Sequence, residues 1–351
     1  MSDSSATPIH IAGGGLAGLL LGIRLRRDGI PVTVSEAGSY PRHRVCGEFM
    51  SGAGVDVLRR SGMLDPLLDR GALWGKSAAF YSEHDLLQSF ELPEPALCLS
   101  RHATDDALAG AFRQLGGNLQ EKTRVRDDDM ESPGTVRAIG RRRLAEDGGW
   151  KWFGLKIHVR DFEIESDLEM HLHRDAYIGA CRIEDDRVNL CGLFRSPANE
   201  GGKKKLSPVD LLRGLPGSKL FRKTERANFL TETQCAVAGL DLHPRKGVDD
   251  ACCRIGDALT MIPPLTGNGM SMALESADAA VSPLCEFSNG ETGWEETVDT
   301  IANRLDHQFS GRLTWAGRIQ QSLFSPLARP LLFSIGKMFP SVWSYGFGKT
   351  R

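Results

Sequence analysis

Three glycines, Gly13, Gly15 and Gly18, lie between an apolar run at residues 9–12 and an apolar stretch that reads as a helix. A carboxylate, Glu36, follows the next β-branched run. Residues of these types at this spacing bind a pyrophosphate. Gly13 makes the tight turn, Gly15 lets the backbone approach the phosphates, and Gly18 lets the helix pack on the strand, with the unpaired N–H groups of the helix start facing the anion. Leu16 and Ala17 belong to the same turn. Glu36, with Ala37 beside it, falls where a carboxylate accepts hydrogen bonds from a ribose. The pattern predicts a cofactor with an ADP half.

The other candidate groups are imidazoles. His158 lies in one run of period-2 alternation, and His171 and His173 lie in another. The plainer expectation places all three on the wet face of an antiparallel sheet. The chemical alternative makes one of them, His158 foremost, a general base for a phenol or enol, because imidazole titrates near neutral pH. His171-x-His173 lacks a carboxylate or cysteine companion at the spacing metal sites use, so no metal is predicted.

These groups need elements to hold them. Strand, glycine turn, helix and strand account for residues 9–35, a helix is expected over residues 270–281, and Ser100 qualifies as the N-cap of another. Period-2 runs at residues 152–159, 168–172, 177–183 and 188–194 predict a β-rich insertion. Phe153, Leu155, Ile157 and Val159 fall on one face of the first run, and Trp152, Gly154, Lys156 and His158 on the other. One face packs on a core, and the other meets solvent or an active cavity.

Arg254-Ile255-Gly256-Asp257-Ala258, leading into Pro263-Pro264-Leu265-Thr266-Gly267-Asn268-Gly269-Met270, resembles the second flavin fingerprint of the p-hydroxybenzoate hydroxylase and geranylgeranyl reductase superfamily. The resemblance implies FAD. Asp257, after Gly256, would bind the ribityl chain, and the segment from Pro264 through Gly267, Gly269 and Met270 would bring backbone N–H groups and a helix start to the flavin ring, where a reduced flavin carries negative charge. Pro41-Arg42-His43-Arg44-Val45-Cys46-Gly47-Glu48-Phe49 is similar to the family's C-G-E/G loop near the flavin, and Leu99-Ser100-Arg101-His102 opens a segment similar to its S-R helix start. The resemblance thus assigns Arg44, Arg101 and Val125 to the cofactor, and Cys46 and Glu48 to proton transfer. It implies an α/β chain with a Rossmann-like FAD-binding domain of glutathione-reductase type, discontinuous over 1–75, 98–148 and 245–285. An antiparallel substrate domain over 76–97 and 149–244 is interleaved with it, and a C-terminal helical segment covers 286–351. Val136-Arg137-Ala138-Ile139-Gly140-Arg141-Arg142-Arg143 departs from the family's D-G element by lacking the aspartate, and no second G-x-G-x-x-G is present. The electron donor is therefore either NAD(P)H binding transiently or a separate reductase protein.

The expected reaction is hydroxylation of an apolar aromatic or polyketide-like substrate by a flavin monooxygenase. A halogenase would carry W-x-W-x-I-P, and residues 150–156 lack the Ile-Pro; a prenyl reductase would carry Y-x-W-x-F-P, and residues 176–183 lack the Trp and Phe-Pro. Saturation of prenyl double bonds is the alternative, favoured by the Cys46-Gly47-Glu48 loop. A flavin-bound lipid presenter without turnover is a third reading.

A net charge of −2 without basic-aromatic interleaving argues against nucleic acid. Eight cysteines without a C-x-x-C pair, and no signal-peptide pattern, predict reduced thiols in a cytoplasm. Lys203-Lys204-Lys205 reads as an exposed loop. Residues 307–351 carry no Asp or Glu, and prolines at 326, 330 and 340 predict short basic amphipathic helices. These either lie on a membrane surface or pack back on the substrate domain.

Overall fold

The computed structural model describes residues 6–141, 144, 146–199, 206–249 and 252–338. Lys203–Lys205, Arg142 and Arg143 lie outside them. In chain order the elements are β1 (Ile9–Ala12), α1 (Leu16–Arg27), β2 (Val32–Ser35), β3 (Phe49–Met50), α2 (Gly52–Arg60), α3 (Leu64–Leu68), β4 (Leu73–Tyr81), β5 (Leu86–Cys98), α4 (Arg101–Gln114), β6 (Asn118–Gln120) and β7 (Thr135–Arg137). There follow β8 (Trp150–Arg160), β9 (Leu168–Leu172), β10 (Ala176–Ile183), β11 (Arg187–Pro197), α5 (Pro208–Leu212), α6 (Lys219–Thr224), β12 (Asn228–Ala238), α7 (Gly269–Ser288), α8 (Trp294–Phe324) and α9 (Ala328–Met338).

Two sheets divide the labour. The first is parallel, in the order β6-β2-β1-β7, with α1, α4 and α7 against it. Its central strands alternate, and Ile9, Ile11, Val32 and Val34 are the residues they bury in the core shared with the helices. Arg137 pairs in parallel with Arg254, so the segment that enters Gly256-Asp257 extends this sheet and arrives beside the glycine turn. The second sheet runs β12-β8-β11-β10-β9-β4-β5-β3, antiparallel except where β4 meets β9. The four period-2 runs are β8 to β11, with boundaries moved by up to three residues.

Both faces of the second sheet are largely buried at β8 to β11. Phe153, Leu155, Ile157 and Val159 of β8 turn with Ile178 and Leu190 toward α5 and α6. The opposite face presents Trp152, Met170, Leu172, Tyr177, Cys181 and Leu193 to Leu265, with Phe49 of β3 in the same cluster. His158, His171 and His173 are all buried, which overturns the expectation of a solvated histidine face. The physical reason is that helices cover one side and the other domain covers the other, so alternation separates two interiors.

The C-terminal half also differs from the expectation. Residues up to 324 belong to the single long helix α8, since no proline precedes Pro326 there, and Pro330 sits in the first turn of α9, where it is tolerated. Leu323 and Phe324 are buried in the apolar face of the second sheet, with Ile319, Leu332 and Phe333 packed against it. Leu327 remains 90% exposed. None of the described helices is long and apolar enough to cross a membrane.

The Phe112 ring of α4 is fully buried against Gly22 of α1, where an added Cβ would stand 2.9 Å from it, and against Gly117. Phe112→Ala therefore leaves a cavity at the centre of the nucleotide-binding half and is expected to cost about 3–5 kcal/mol, read from the urea midpoint. An unchanged midpoint would contradict this packing.

Candidate active site

The glycine turn is built by contact. Gly13 has φ +112°, and a Cβ there would collide with the Ala138 carbonyl, while one at Gly18 would collide with the Gly13 carbonyl. Gly15 differs, because nothing lies within 4 Å of the position its Cβ would take. It is the N-cap of α1, with no side-chain cap and no acid in the first turn, so the helix start is open to an anion. Leu16 and Ala17 follow within the turn, and Gly256 packs against Ala17, with 3.1 Å from a Cβ on Gly256 to the Ala17 methyl. The two glycine motifs, far apart in sequence, meet here.

Glu36 enters the turn from the end of β2. Its Oε2 accepts the Gly14 N–H (2.9 Å), its Oε1 accepts the Gly38 N–H (2.8 Å), and Arg42 lies 2.6 Å away. Burial pushes its carboxyl up, but the Arg42 bond, the Gly38 N–H and the Arg42 and Arg44 charges prevail and hold it down to about 2. Ala37 is exposed next to it. Thr123 and Lys122 donate backbone bonds to the Glu36 and Gly38 carbonyls, which brings the Val125 loop to the same end. The Tyr40 hydroxyl donates to the Gly14 carbonyl, and Arg42 stacks on the Tyr40 ring.

From Glu36 a line of charges runs inward. Arg44 lies 3.7 Å from both Glu36 and Asp105, and its buried Nε makes no hydrogen bond. Arg101 grips Asp105 with two bonds of 2.8 and 2.9 Å. Burial raises the Asp257 carboxyl against the pull of Arg141, Arg101 and Arg44. Ser100 caps α4 as its sequence predicts, accepting the Ala103 N–H (3.1 Å).

The line ends at Glu48. This residue is fully buried, with φ +57°, and its carboxylate meets His158 Nε2 (2.7 Å), Lys156 Nζ (3.1 Å) and the Arg101 backbone N–H (2.9 Å). Burial alone would raise its pKa. The His158 bond, the Lys156 charge and the Arg101 N–H outweigh it and keep Glu48 below the usual carboxylate range. The Cys46 thiol accepts the Glu48 N–H at 3.4 Å, and burial raises its pKa. His158 Nδ1 is buried and has no hydrogen-bond partner. The ring stands edge-on to His43 (5.3 Å), which stacks on half-buried His102 (4.7 Å). His43 is held down to about 4, by burial first and then by the Lys156, His158 and His102 charges.

Phe49 carries this loop to the second motif. Gly267, with φ +68°, closes the Pro264 turn, and a Cβ on it would lie 3.2 Å from the Phe49 ring. Ser51 Oγ donates to Asn268 Oδ1 (2.8 Å) and shares a bond with Ser271 Oγ (2.8 Å), tying the start of α2 to Gly269 and Met270 at the start of α7.

Cys46, Glu48 and His158 are thus one cluster. His171 and His173 lie on the far face of the sheet, where His171 pairs with Glu169 (3.0 Å) and Lys223 closes on the same carboxylate (2.7 Å). Among the described residues no group could hold a metal ion. Sequence reasoning missed the roles of Tyr40, Arg42, His43, Lys156 and Asp105. Two of them carried a signal: Lys156 is two residues from His158 on one strand face, and Asp105 is four from Arg101 on one helix face.

Residues 6–146 match the FAD binding domain family. This part of the chain resembles an FAD-binding domain. The whole fold is shared with the flavin-dependent brominase Bmp2 at a TM-score of 0.76 and 18% identity, over 98% of this chain and 93% of that one. It is shared with p-nitrophenol 4-monooxygenase PnpA from Pseudomonas putida at a TM-score of 0.69 and 18% identity, over 98% of each chain. Conditioned medium factor receptor 1 of Dictyostelium discoideum is 27% identical over 89% of this chain and 70% of its own length. The fold is that of these flavin-dependent enzymes. The open Gly15, the uncapped start of α1 and the unbonded Arg44 Nε fit the FAD diphosphate.

Two measurements follow. Gly15→Asp, at an ordinary φ of −86° with open space around it, should leave thermal stability within a few degrees and abolish FAD retention, read as flavin absorbance after gel filtration. Retained flavin would place the phosphates elsewhere. Because the Glu36 pKa is depressed, its stabilisation is complete above about 4.5 and is lost as pH falls toward about 2. Glu36→Gln should flatten that part of the stability–pH curve, and an unchanged slope would remove Glu36 from the acid response.

Proposed function

We propose that this chain is a flavoprotein, an FAD-dependent monooxygenase of the hydroxylase type, reduced by NAD(P)H, that acts on an apolar aromatic or polyketide-like substrate. The observation that carries the reading is the apolar sheet face of Phe80, Met170, Leu172, Tyr177, Leu193 and Trp152, which stands opposite Leu265 of the Pro264 turn and is closed by Leu323 and Phe324. Such a wall excludes water and selects flat, greasy molecules. Gly13, Gly15, Gly18, Glu36, Arg44, Arg101 and Asp257 would hold the FAD, with the Pro264–Gly269 segment at its ring. When bound, the flavin supplies the redox chemistry that couples a reduced nicotinamide to oxygen.

The residues of the chain supply proton control. Glu48 orients His158 through Nε2 and is kept ionised by Lys156 and the Arg101 N–H, which leaves Nδ1 as the atom that accepts a proton. His43 and His102 continue from that ring to the half-buried surface. Alkene saturation would need an acid at Cys46 or Glu48. A carboxylate held below its usual range is a poor proton donor, and this favours the hydroxylase.

The deciding experiment is anaerobic reduction with NADPH followed by labelled oxygen in the presence of an alkylphenol. One labelled oxygen atom in the phenol is expected, and release of peroxide alone would overturn the proposal. Glu48→Gln should lower kcat on the order of 100-fold at unchanged FAD content, whereas Cys46→Ala should stay within a few fold. Equal losses in both would remove Glu48 from proton control.

A further inference from the structure

Three polar side chains lie inside the apolar wall and have not been accounted for. Trp152 on β8, Tyr177 on β10 and Gln320 on α8 are 9%, 2% and 8% exposed. Trp152 Nε1 and Gln320 Oε1 are buried without a hydrogen-bond partner in the protein, and the buried Tyr177 hydroxyl has only the Leu265 backbone N–H facing its oxygen. Buried polar atoms are nearly always paired, so unpaired ones gathered in one place call for an explanation.

They gather around Phe324. Its ring meets Trp152 edge-on at 4.9 Å and Tyr177 at 6.0 Å, and Gln320 is one helical turn earlier on the same face of α8. The Phe324 ring fills space but offers no hydrogen bond. The Leu265 backbone N–H bears on the Tyr177 hydroxyl, so the group borders the Pro264 turn. α8 changes partners at this point: Leu313 and Ala316 pack in the nucleotide-binding core, and Leu323 and Phe324 pack on the substrate sheet. Arg195 holds the end of the helix by donating to the Phe324 carbonyl (2.9 Å), which keeps Gln320 in register with the sheet.

We infer that Trp152, Tyr177 and Gln320 form the polar specificity set of the substrate site and select an aromatic ligand that bears a free hydroxyl. Trp152 Nε1–H needs an acceptor, Gln320 Oε1 needs a donor, and the Tyr177 hydroxyl keeps its O–H to donate. A phenolic hydroxyl supplies both functions, whereas its methyl ether supplies only the acceptor and leaves Gln320 unpaired. The inference rests on the proposed aromatic substrate and adds which substituent is read and by which atoms. Sites built to bond a hydroxyl reject the analogue that lacks it far more strongly than apolar pockets reject a change of size.

The test is calorimetric titration of the FAD-loaded protein with 5-pentylresorcinol and with its dimethyl ether. The wild type should prefer the resorcinol by at least about tenfold. Gln320→Met, which keeps the apolar volume, should bring the preference to within about threefold while leaving affinity for the ether unchanged, and Trp152→Phe should weaken both ligands and keep the preference. A wild type that binds the two equally, a Gln320→Met variant that keeps the full preference, or a Trp152→Phe variant that weakens neither ligand would overturn the inference. Oxygen incorporation into the resorcinol is measured in parallel. Incorporation without discrimination removes this inference and leaves the proposed function standing, and discrimination without incorporation does the reverse.

Discussion

A buried carboxylate organises this protein. Glu48 has no exposure to water, and an ionised group in that position must be met by opposite charge and hydrogen-bond donors on every side. Its donors come from different parts of the chain: Lys156 and His158 from β8, and a backbone N–H from the start of α4. The substrate sheet can therefore dock on the nucleotide-binding half in few ways. A small displacement would leave an unpaired charge in the interior. The left-handed backbone at Glu48 is held in place by the same contacts.

The remaining geometry follows from that docking. With Glu48 in place, Phe49 reaches Gly267, Ser51 reaches Asn268 and Ser271, and the Pro264 turn comes to face the apolar side of the sheet. Arg101 serves both halves, offering its backbone to Glu48 and its guanidinium to Asp105, which also approaches Arg44 and so the Glu36 end. Cofactor phosphates, ribose and ring would thus lie along one continuous charged track. Apolar walls come in only beyond the Pro264 turn. This separation suits the proposed pairing of a greasy substrate with a highly charged cofactor.

The sheet shows how local reading reaches its limit. Alternation along β8 separates Lys156 and His158 from Leu155 and Ile157 correctly, because side-chain period is a property of the strand alone. The same alternation is silent on what covers each face. His158 and His171 look equivalent as written, yet one meets Glu48 and the other meets Glu169 and Lys223 across the sheet. α8 follows the same logic in reverse. Its basic, aromatic sequence could face a membrane or a core, and Leu323 and Phe324 take the core since the substrate sheet presents an apolar face of matching shape.

By itself the sequence determined the glycine turn with Glu36, the second motif at Gly256 and Asp257, the cap at Ser100 and the period of β8 to β11. Each depends on residues close together in the chain, where backbone freedom, capping and alternation act. Only the tertiary structure decided that Lys156, His158 and Arg101 share one carboxylate, that Trp152 and Tyr177 converge on the Phe324 ring, and that two histidines of three lie on the other face of the sheet. Those outcomes depend on which strands pair and which faces dock, and that is settled by burying charge and apolar area across the whole molecule.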